Sequence, residues 1–148
     1  MKIIFIFFIL LTSVLAINSC CEDTENNEIN GVCGTTNCDS WVIIDDSLFQ
    51  NAPNDHVDIL DMSIEGDCLK VKFASSGCSG DTWEVLLIGK KEWLYSNPPS
   101  KELRLSLKNS ELCEAYITKE ISFDIRELHQ TDSVKLILSN YDEWILYK

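Results

Sequence analysis

The stretch Leu-Asp-Met-Ser-Ile-Glu-Gly-Asp-Cys-Leu-Lys-Val-Lys-Phe, residues 60–73, decides the fold class of this chain. Apolar and polar residues alternate on both sides of a Gly-Asp pair. A period of two is typical of strands that bury one face. A glycine-containing pair between two such runs favours a tight hairpin turn. The stretch therefore predicts an antiparallel β-hairpin that turns at Gly66 and Asp67.

Similar short runs continue along the chain and set its domain organisation. They lie at residues 41–44, 83–88, 103–107, 115–117, 121–125, 134–138 and 144–147. No segment of helix length shows a 3.6-residue period. About seven or eight short strands at roughly ten-residue spacing are typical of sandwiches and barrels. The sequence therefore predicts one all-β domain at residues 41–148, either an antiparallel β-sandwich or a partly open barrel.

The first 19 residues are predicted to be a lipoprotein signal peptide. Lys2 gives a positive start and residues 3–11 are continuously apolar, which is the layout of a secretory leader. This run is shorter than the ~20 residues that a membrane-spanning helix requires. Residues 17–20, Ile-Asn-Ser-Cys, are similar to a bacterial lipobox, so cleavage would leave Cys20 to carry a lipid. Cleavage after Ala16 is the alternative, and Cys20 would then be an ordinary thiol of a secreted protein.

Residues 20–40 are predicted to be an acidic tether between the lipidated cysteine and the β-domain. Residues 21–28 are rich in acids and asparagine and have no apolar pattern. Such a composition cannot bury enough apolar surface to fold, so we expect disorder. Through the lipid, the membrane becomes the first predicted partner of the chain.

The charge of the chain excludes one large class of partners. Lysine and arginine number 12 against 24 acidic residues, and removal of the leader with Lys2 leaves 11 against 24, a net charge of −13. A surface this acidic repels phosphate backbones, so no nucleic acid partner is expected. The cluster of Asp45, Asp46, Asp55, Asp58 and Asp61 has carboxylates suited to calcium, but it lacks an EF-hand spacing. We therefore predict no metal site and interpret these acids as solvent-facing side chains.

The cysteines predict disulfides in an oxidising compartment. Seven are present, and lipidation of Cys20 leaves six, namely Cys21, Cys33, Cys38, Cys68, Cys78 and Cys113. An exported chain with this content favours disulfide bonds, but spacing alone does not fix their pairing. Cys33 and Cys38 flank a turn-rich segment and are candidates for a local bond. Cys78 and Cys113 flank strand-like runs and are candidates for a long-range bond.

No arrangement of residues predicts catalysis or a cofactor. A nucleophilic Cys78 would need a base within reach, and the chain offers only His56 and His129, each outside any companion motif. Paired Cys-x-x-Cys ligands for zinc are also missing from the sequence. We therefore expect a non-enzymatic protein without a cofactor.

Trp93 and Tyr95 are the candidate binding residues. They lie in the segment Lys-Lys-Glu-Trp-Leu-Tyr, residues 90–95, between two predicted strands and just before Pro98 and Pro99. Aromatic side chains in loops are favoured at contact surfaces because they offer a large apolar area with few rotatable bonds. A protein or glycan partner at this loop is the resulting hypothesis.

A resemblance covers residues 67–125. The sequence there is similar to a group of small uncharacterised lipoproteins of Bacteroidota-type bacteria. It rests on Ser-Gly-Cys-Ser-Gly-Asp-Thr-Trp at 76–83, Leu-Arg-Leu-Ser-Leu at 103–107, Glu-Leu-Cys at 111–113 and Ser-Phe-Asp at 122–124. The resemblance implies a bond between Cys78 and Cys113 and implies no catalytic residue.

Together these features predict a lipid-anchored protein of the cell envelope with a non-enzymatic structural or binding role. The lipid on Cys20 would hold it at the outer membrane, with the domain possible at the cell surface. The alternative is a secreted or periplasmic ligand-binding or inhibitor module that recognises a protein, glycan or cation through its loops.

Overall fold

The computed structural model describes residues 38–148, and these form an all-β domain. The strands are β1 (Ser40–Ile44), β2 (Asp58–Glu65), β3 (Cys68–Gly77), β4 (Glu84–Gly89), β5 (Ser100–Lys108), β6 (Ala115–Asp124), β7 (Val134–Leu138) and β8 (Trp144–Tyr147). One short helix, α1 (Asp46–Asn51), follows β1, and a single 3-10 turn lies at Arg126–Leu128. Within this range no helix has the length and apolar character needed to cross a bilayer.

All eight strands belong to one mixed sheet in the order β2-β3-β6-β1-β4-β5-β7-β8. β1 runs parallel to both of its neighbours, β6 and β4, and β5 runs parallel to β7. The prediction of an all-β domain is confirmed, but a wholly antiparallel sheet is wrong. The alternation of apolar and polar residues shows which face of a strand is buried. The pattern is the same in parallel and antiparallel strands, so the sequence could not reveal the parallel pairs.

The sheet curls into a partly open barrel. Its edge strands, β2 and β8, come close to each other without pairing. The phenol of Tyr147 donates a hydrogen bond across this opening to Asp67 Oδ1 at 2.6 Å. Burial, helped by this hydrogen bond, raises the pKa of Tyr147, so its proton stays in place to hold the two edges together.

The predicted hairpin is present as β2 and β3. Glu65 pairs with Cys68 across the turn, and Gly66 has a positive φ of 59°, which glycine adopts without steric cost. β3 continues to Gly77, beyond the alternating stretch of residues 60–73. This longer β3 pairs with β6 along its whole length.

The barrel interior is filled by side chains. Its fully covered members come from almost every strand: Val42, Leu69, Val71, Phe73, Leu87, Leu103, Leu105, Phe123, Val134, Leu136, Leu138 and Tyr147, with Ile125 and Leu128 beyond β6. Each buried leucine or phenylalanine stabilises the fold by about 1.5–3 kcal/mol relative to its exposure. The interior is therefore a packed core.

Helix α1 and the chain after it cover part of the outer face. Arg104, which points outward from β5, donates hydrogen bonds to the carbonyls of Phe49, Ala52 and Pro53 at 2.7, 2.6 and 3.0 Å. Asp45 caps the helix by accepting the Leu48 amide at 2.8 Å. With only 6 residues, the helix is too short to produce a recognisable period in the sequence.

A disulfide ties the start of the domain to β3. Cys38 is bonded to Cys68, with their Cα atoms 5.6 Å apart, so the predicted local bond between Cys33 and Cys38 is wrong. Cys33 itself lies outside the described residues. β1 docks beside β6, and the Asp39 carboxylate accepts the Ser122 amide and hydroxyl at 2.9 and 2.6 Å, which brings Cys38 next to β3. Among the described residues, the contacts of the domain therefore extend back to Cys38.

Candidate functional site

The loop at residues 90–99 joins β4 to β5 and carries the two candidate binding residues. Tyr95 is fully exposed, whereas Trp93 is half-buried and packs against the core. Leu94 bridges to Ser100 through two backbone hydrogen bonds of 2.9 and 3.1 Å. Leu94 is partly exposed, and Trp93 faces the barrel. The prediction of an exposed aromatic pair is thus wrong for Trp93, and Tyr95 alone is available for contact.

Trp93 covers a buried lysine that sequence reasoning missed. Lys101 points inward from the start of β5 and is only 2% exposed. Its ammonium lies 4.5 Å from the centre of the Trp93 ring and donates to the Lys91 carbonyl at 3.3 Å. Burial lowers the pKa of Lys101. The pair closes this end of the barrel, and alternation within β5 was the one available signal that Lys101 faces inward.

The opposite end of the barrel is organised by Glu111. Its Oε2 atom accepts the backbone amides of Cys78, Ser79 and Gly80 at 2.5, 3.0 and 3.0 Å. Its Oε1 atom accepts the Thr82 hydroxyl at 2.9 Å. Successive amides that point at one anion form a concave binding site for it. One carboxylate therefore fixes the whole loop between β3 and β4.

These four hydrogen bonds favour the ionised form of Glu111. The Gly80 amide, with those of Ser79 and Cys78, lowers the pKa of this carboxyl to about 2. The loop is built closely around it, since a Cβ atom at position 77 would lie 2.6 Å from Glu111 Oε2. Gly80 has a φ of 72°, which side chains disfavour. Both glycines are therefore needed for the amides to reach the carboxylate.

The Cys78–Cys113 disulfide lies next to this carboxylate. Its Cα atoms are 4.9 Å apart, and it is the long-range pair predicted from the sequence. Leu112, between Glu111 and Cys113, is 97% exposed. Tyr116, at the start of β6, is 61% exposed and donates to Asp58 Oδ2 at 3.0 Å. This end of the barrel therefore presents two apolar side chains beside a disulfide.

The acidic cluster of the sequence is dispersed over separate structural contacts. Asp45 accepts the Leu48 amide, Asp46 the Lys91 amide, Asp55 the Asn109 amide, Asp58 the Tyr116 hydroxyl and Asp61 the Met62 amide. Over residues 38–148 no three His, Cys, Asp or Glu side chains converge in a way that could hold a metal ion. The two histidines are also separate, since His56 lies by Asp58 and His129 against Tyr147.

Replacing Glu111 with glutamine should destabilise the protein in a pH-dependent way. Because the folded-state pKa of Glu111 lies below its usual value of 4.5, the ionised carboxylate contributes stability above about pH 4.5, and this contribution is lost as the pH falls towards about 2. Melting temperatures of the wild type and Glu111→Gln should therefore differ most at pH 6 and converge near pH 2. Glu114→Gln, at an exposed neighbouring carboxylate, is the control. An equal difference at both pH values would contradict this role.

Comparison with protein families and curated proteins gives no match. Two solved structures are similar in fold. One is a protein of unknown function, DUF1344, from Bacteroides vulgatus, with 19% identity over 73% of this chain and 54% of that chain, and a TM-score of 0.50. The other is a putative toxin related protein from Parabacteroides distasonis, with 16% identity over 73% of this chain and 59% of that chain, and a TM-score of 0.45.

These likenesses extend to the fold alone. The chain spans a little over half the length of either neighbour, and identities below one fifth carry no information on activity. Both neighbours come from Bacteroidales. The Bacteroides vulgatus protein thus shows a similar fold and nothing further about this chain.

Proposed function

We propose that this protein is a lipid-anchored, non-enzymatic binding module of the cell envelope, held at the outer membrane through Cys20. The observation that carries the proposal is that every cysteine in residues 38–148 is paired, as Cys38–Cys68 and Cys78–Cys113. Structural disulfides persist in oxidising compartments. They support export of the chain, and the leader ending at Ser19-Cys20 supports lipidation after export.

The spacing between the anchor and the domain suits a tethered module. Cys38, the first described residue, is held to the domain by its bond to Cys68. The chain from Cys20 to Cys38 reaches at most about 60 Å when fully extended. That reach would allow the domain to stand clear of lipid head groups and to meet partners in the surrounding space.

A binding role is favoured over catalysis by the distribution of side chains. The barrel interior is packed with apolar groups, and Cys78 is held in a disulfide and is not a free thiol. Large apolar side chains are instead exposed at both ends, as Tyr95 at one and Leu112 at the other. Exposed side chains on loops held by a rigid sheet are the usual place for contacts with partners.

The anchor is tested by the intact mass of the protein purified from membranes of its native host. The wild type should begin at Cys20 and carry a diacylglyceryl group plus an acyl chain. Cys20→Ala should lose that mass and leave the membrane fraction, because the thioether-forming sulfur is gone. Cys21→Ala is the matched control, one residue away, and should keep both the lipid and the membrane association.

A chain that begins at Ile17 and carries no lipid would contradict anchoring. Cleavage would then occur after Ala16, and the alternative function, a secreted or periplasmic ligand-binding or inhibitor module, would take its place. The binding role itself is tested separately by the peptide titrations described next.

A further inference from the structure

Leu112 is held out into solvent by fixed contacts on both sides. Glu111 before it accepts four hydrogen bonds, and Cys113 after it is covalently bonded to Cys78. The side chain between them is 97% exposed. A leucine on an unrestrained loop can lean against its own protein, but this backbone is constrained at each neighbouring residue. Pre-ordering of this kind lowers the entropy cost of binding.

Tyr116 lies at the same end of the barrel. It pairs with Ser76 in the β3–β6 register, and its neighbour Ala115 pairs with Gly77, directly before the disulfide. Its hydroxyl is bonded to Asp58, which holds the exposed ring in place. We call Leu112 and Tyr116 together the Leu112 patch.

The surroundings of the Leu112 patch are strongly acidic. The three segments that build this end, residues 55–58, 78–84 and 108–119, contain six carboxylates and two lysines. Both lysines are already paired, Lys108 with Glu84 at 2.6 Å and Lys119 with Asp81 at 2.9 Å. The field around the patch is therefore negative, which attracts cations and repels anionic lipid or nucleic acid.

We propose that the Leu112 patch binds a cationic amphipathic polypeptide segment, in which an apolar side chain contacts Leu112 and flanking lysines or arginines face the carboxylates. This identifies the class of partner for the binding module and so rests on the proposed function. The patch is well placed for it, because Cys38–Cys68 and Cys78–Cys113 sit at opposite ends of the ten-residue β3. About 30 Å of strand separates them, so the patch points away from the residue at which the chain enters the domain.

Three synthetic peptides of equal length test the charge and the apolar component separately. The first alternates lysine with leucine, the second lysine with serine, and the third glutamate with leucine. Each is titrated by calorimetry into the full-length Cys20→Ala protein, which removes lipid from the measurement. Only the lysine-leucine peptide should bind well, and its affinity should fall as salt is raised. Binding of the glutamate-leucine peptide with equal affinity would overturn the role of charge.

Variants then locate the site. Leu112→Ser should lower the affinity for the lysine-leucine peptide at least tenfold, because the central apolar contact is lost. Leu94→Ser, an exposed leucine at the other end of the barrel, should leave the affinity unchanged. Equal affinity of Leu112→Ser and wild type, or an equal loss in Leu94→Ser, would overturn the proposal. A wild-type dimer that Leu112→Ser dissociates in sedimentation would also overturn it, since the occupant would be a second copy of the chain.

The outcomes also separate this inference from the anchor. Lipidation is measured by mass in the native host, and peptide binding is measured on protein without lipid. If the protein is lipidated in its host but Leu112→Ser does not change peptide affinity, the anchor stands and only the docking surface is contradicted. If the peptide binds at the Leu112 patch but the protein from its host carries no lipid, only the anchor is contradicted.

Discussion

Replacing Phe73 with alanine should lower the free energy of unfolding by about 3–5 kcal/mol. Phe73 is 2% exposed at the centre of β3, and its ring centre lies 6.1 Å from that of Trp83. Truncation removes this contact and leaves a cavity that the surrounding strands cannot fill, because both neighbours of β3 are paired with it along the sheet. Urea denaturation followed by tryptophan fluorescence and circular dichroism measures the change.

Tyr95→Ala is the control for this loss. It removes an aromatic side chain of similar size from a fully exposed position and should change stability by no more than about 0.5 kcal/mol. If Phe73→Ala were equally harmless, Phe73 could not be part of a packed barrel interior.

Replacing Cys78 and Cys113 together with alanine should lower the free energy of unfolding by about 3–4 kcal/mol. The bond closes a loop with a sequence separation of 35. Without it the unfolded chain regains the conformational entropy that loop closure had removed, and this stabilises the unfolded state. Because Glu111 still accepts its hydrogen bonds from the loop, the folded arrangement should be retained. Chemical denaturation should therefore show a lower midpoint with an unchanged circular dichroism spectrum before the transition.

Ser110→Ala, at an exposed position in the same segment, is the matched control and should be neutral. A double cysteine variant as stable as wild type would show that this disulfide does not restrict the unfolded chain. The native fold would then depend on the packed core and on the Glu111 contacts alone.

The parts of the fold that sequence predicted are those in which local pattern and local geometry agree. The hairpin at residues 60–73 formed as expected because its alternation places Leu69, Val71 and Phe73 on the inner face and Gly66 at the turn. Alternation also identified β5 and β7, whose leucines line the same interior. In these segments the type of each residue shows whether its side chain is buried.

Strand order and the first disulfide depended on distant parts of the chain. Cys38 meets Cys68 only because β1 docks beside β6, and nothing near Cys38 in the sequence indicates that neighbour. Proximity in the chain favoured Cys33 instead. Connections of this length leave many pairings open, and tertiary packing decides among them.

The candidate site was predicted only in part, again because it depends on residues that are distant in the chain. The pairing of Cys78 with Cys113 was implied by motif resemblance, whereas the role of Glu111 in binding three amides required the loop geometry itself. Trp93 and Tyr95 were equivalent in composition and position, yet Trp93 packs against the core and over Lys101, whereas Tyr95 is exposed. That difference depends on the tertiary position of Lys101, which the loop sequence does not show.

The position of β1 has a consequence for how the chain acquires its structure. β1 is the earliest strand in the described chain, yet it joins the group β2-β3-β6 to the group β4-β5-β7-β8 in the finished sheet. Its partners β4 and β6 end at residues 89 and 124, so the earliest described strand cannot complete its pairing until the last third of the chain is present. Pairings this distant in sequence make folding slow. Unpaired strand edges persist during that interval, and they expose the partly folded chain to aggregation.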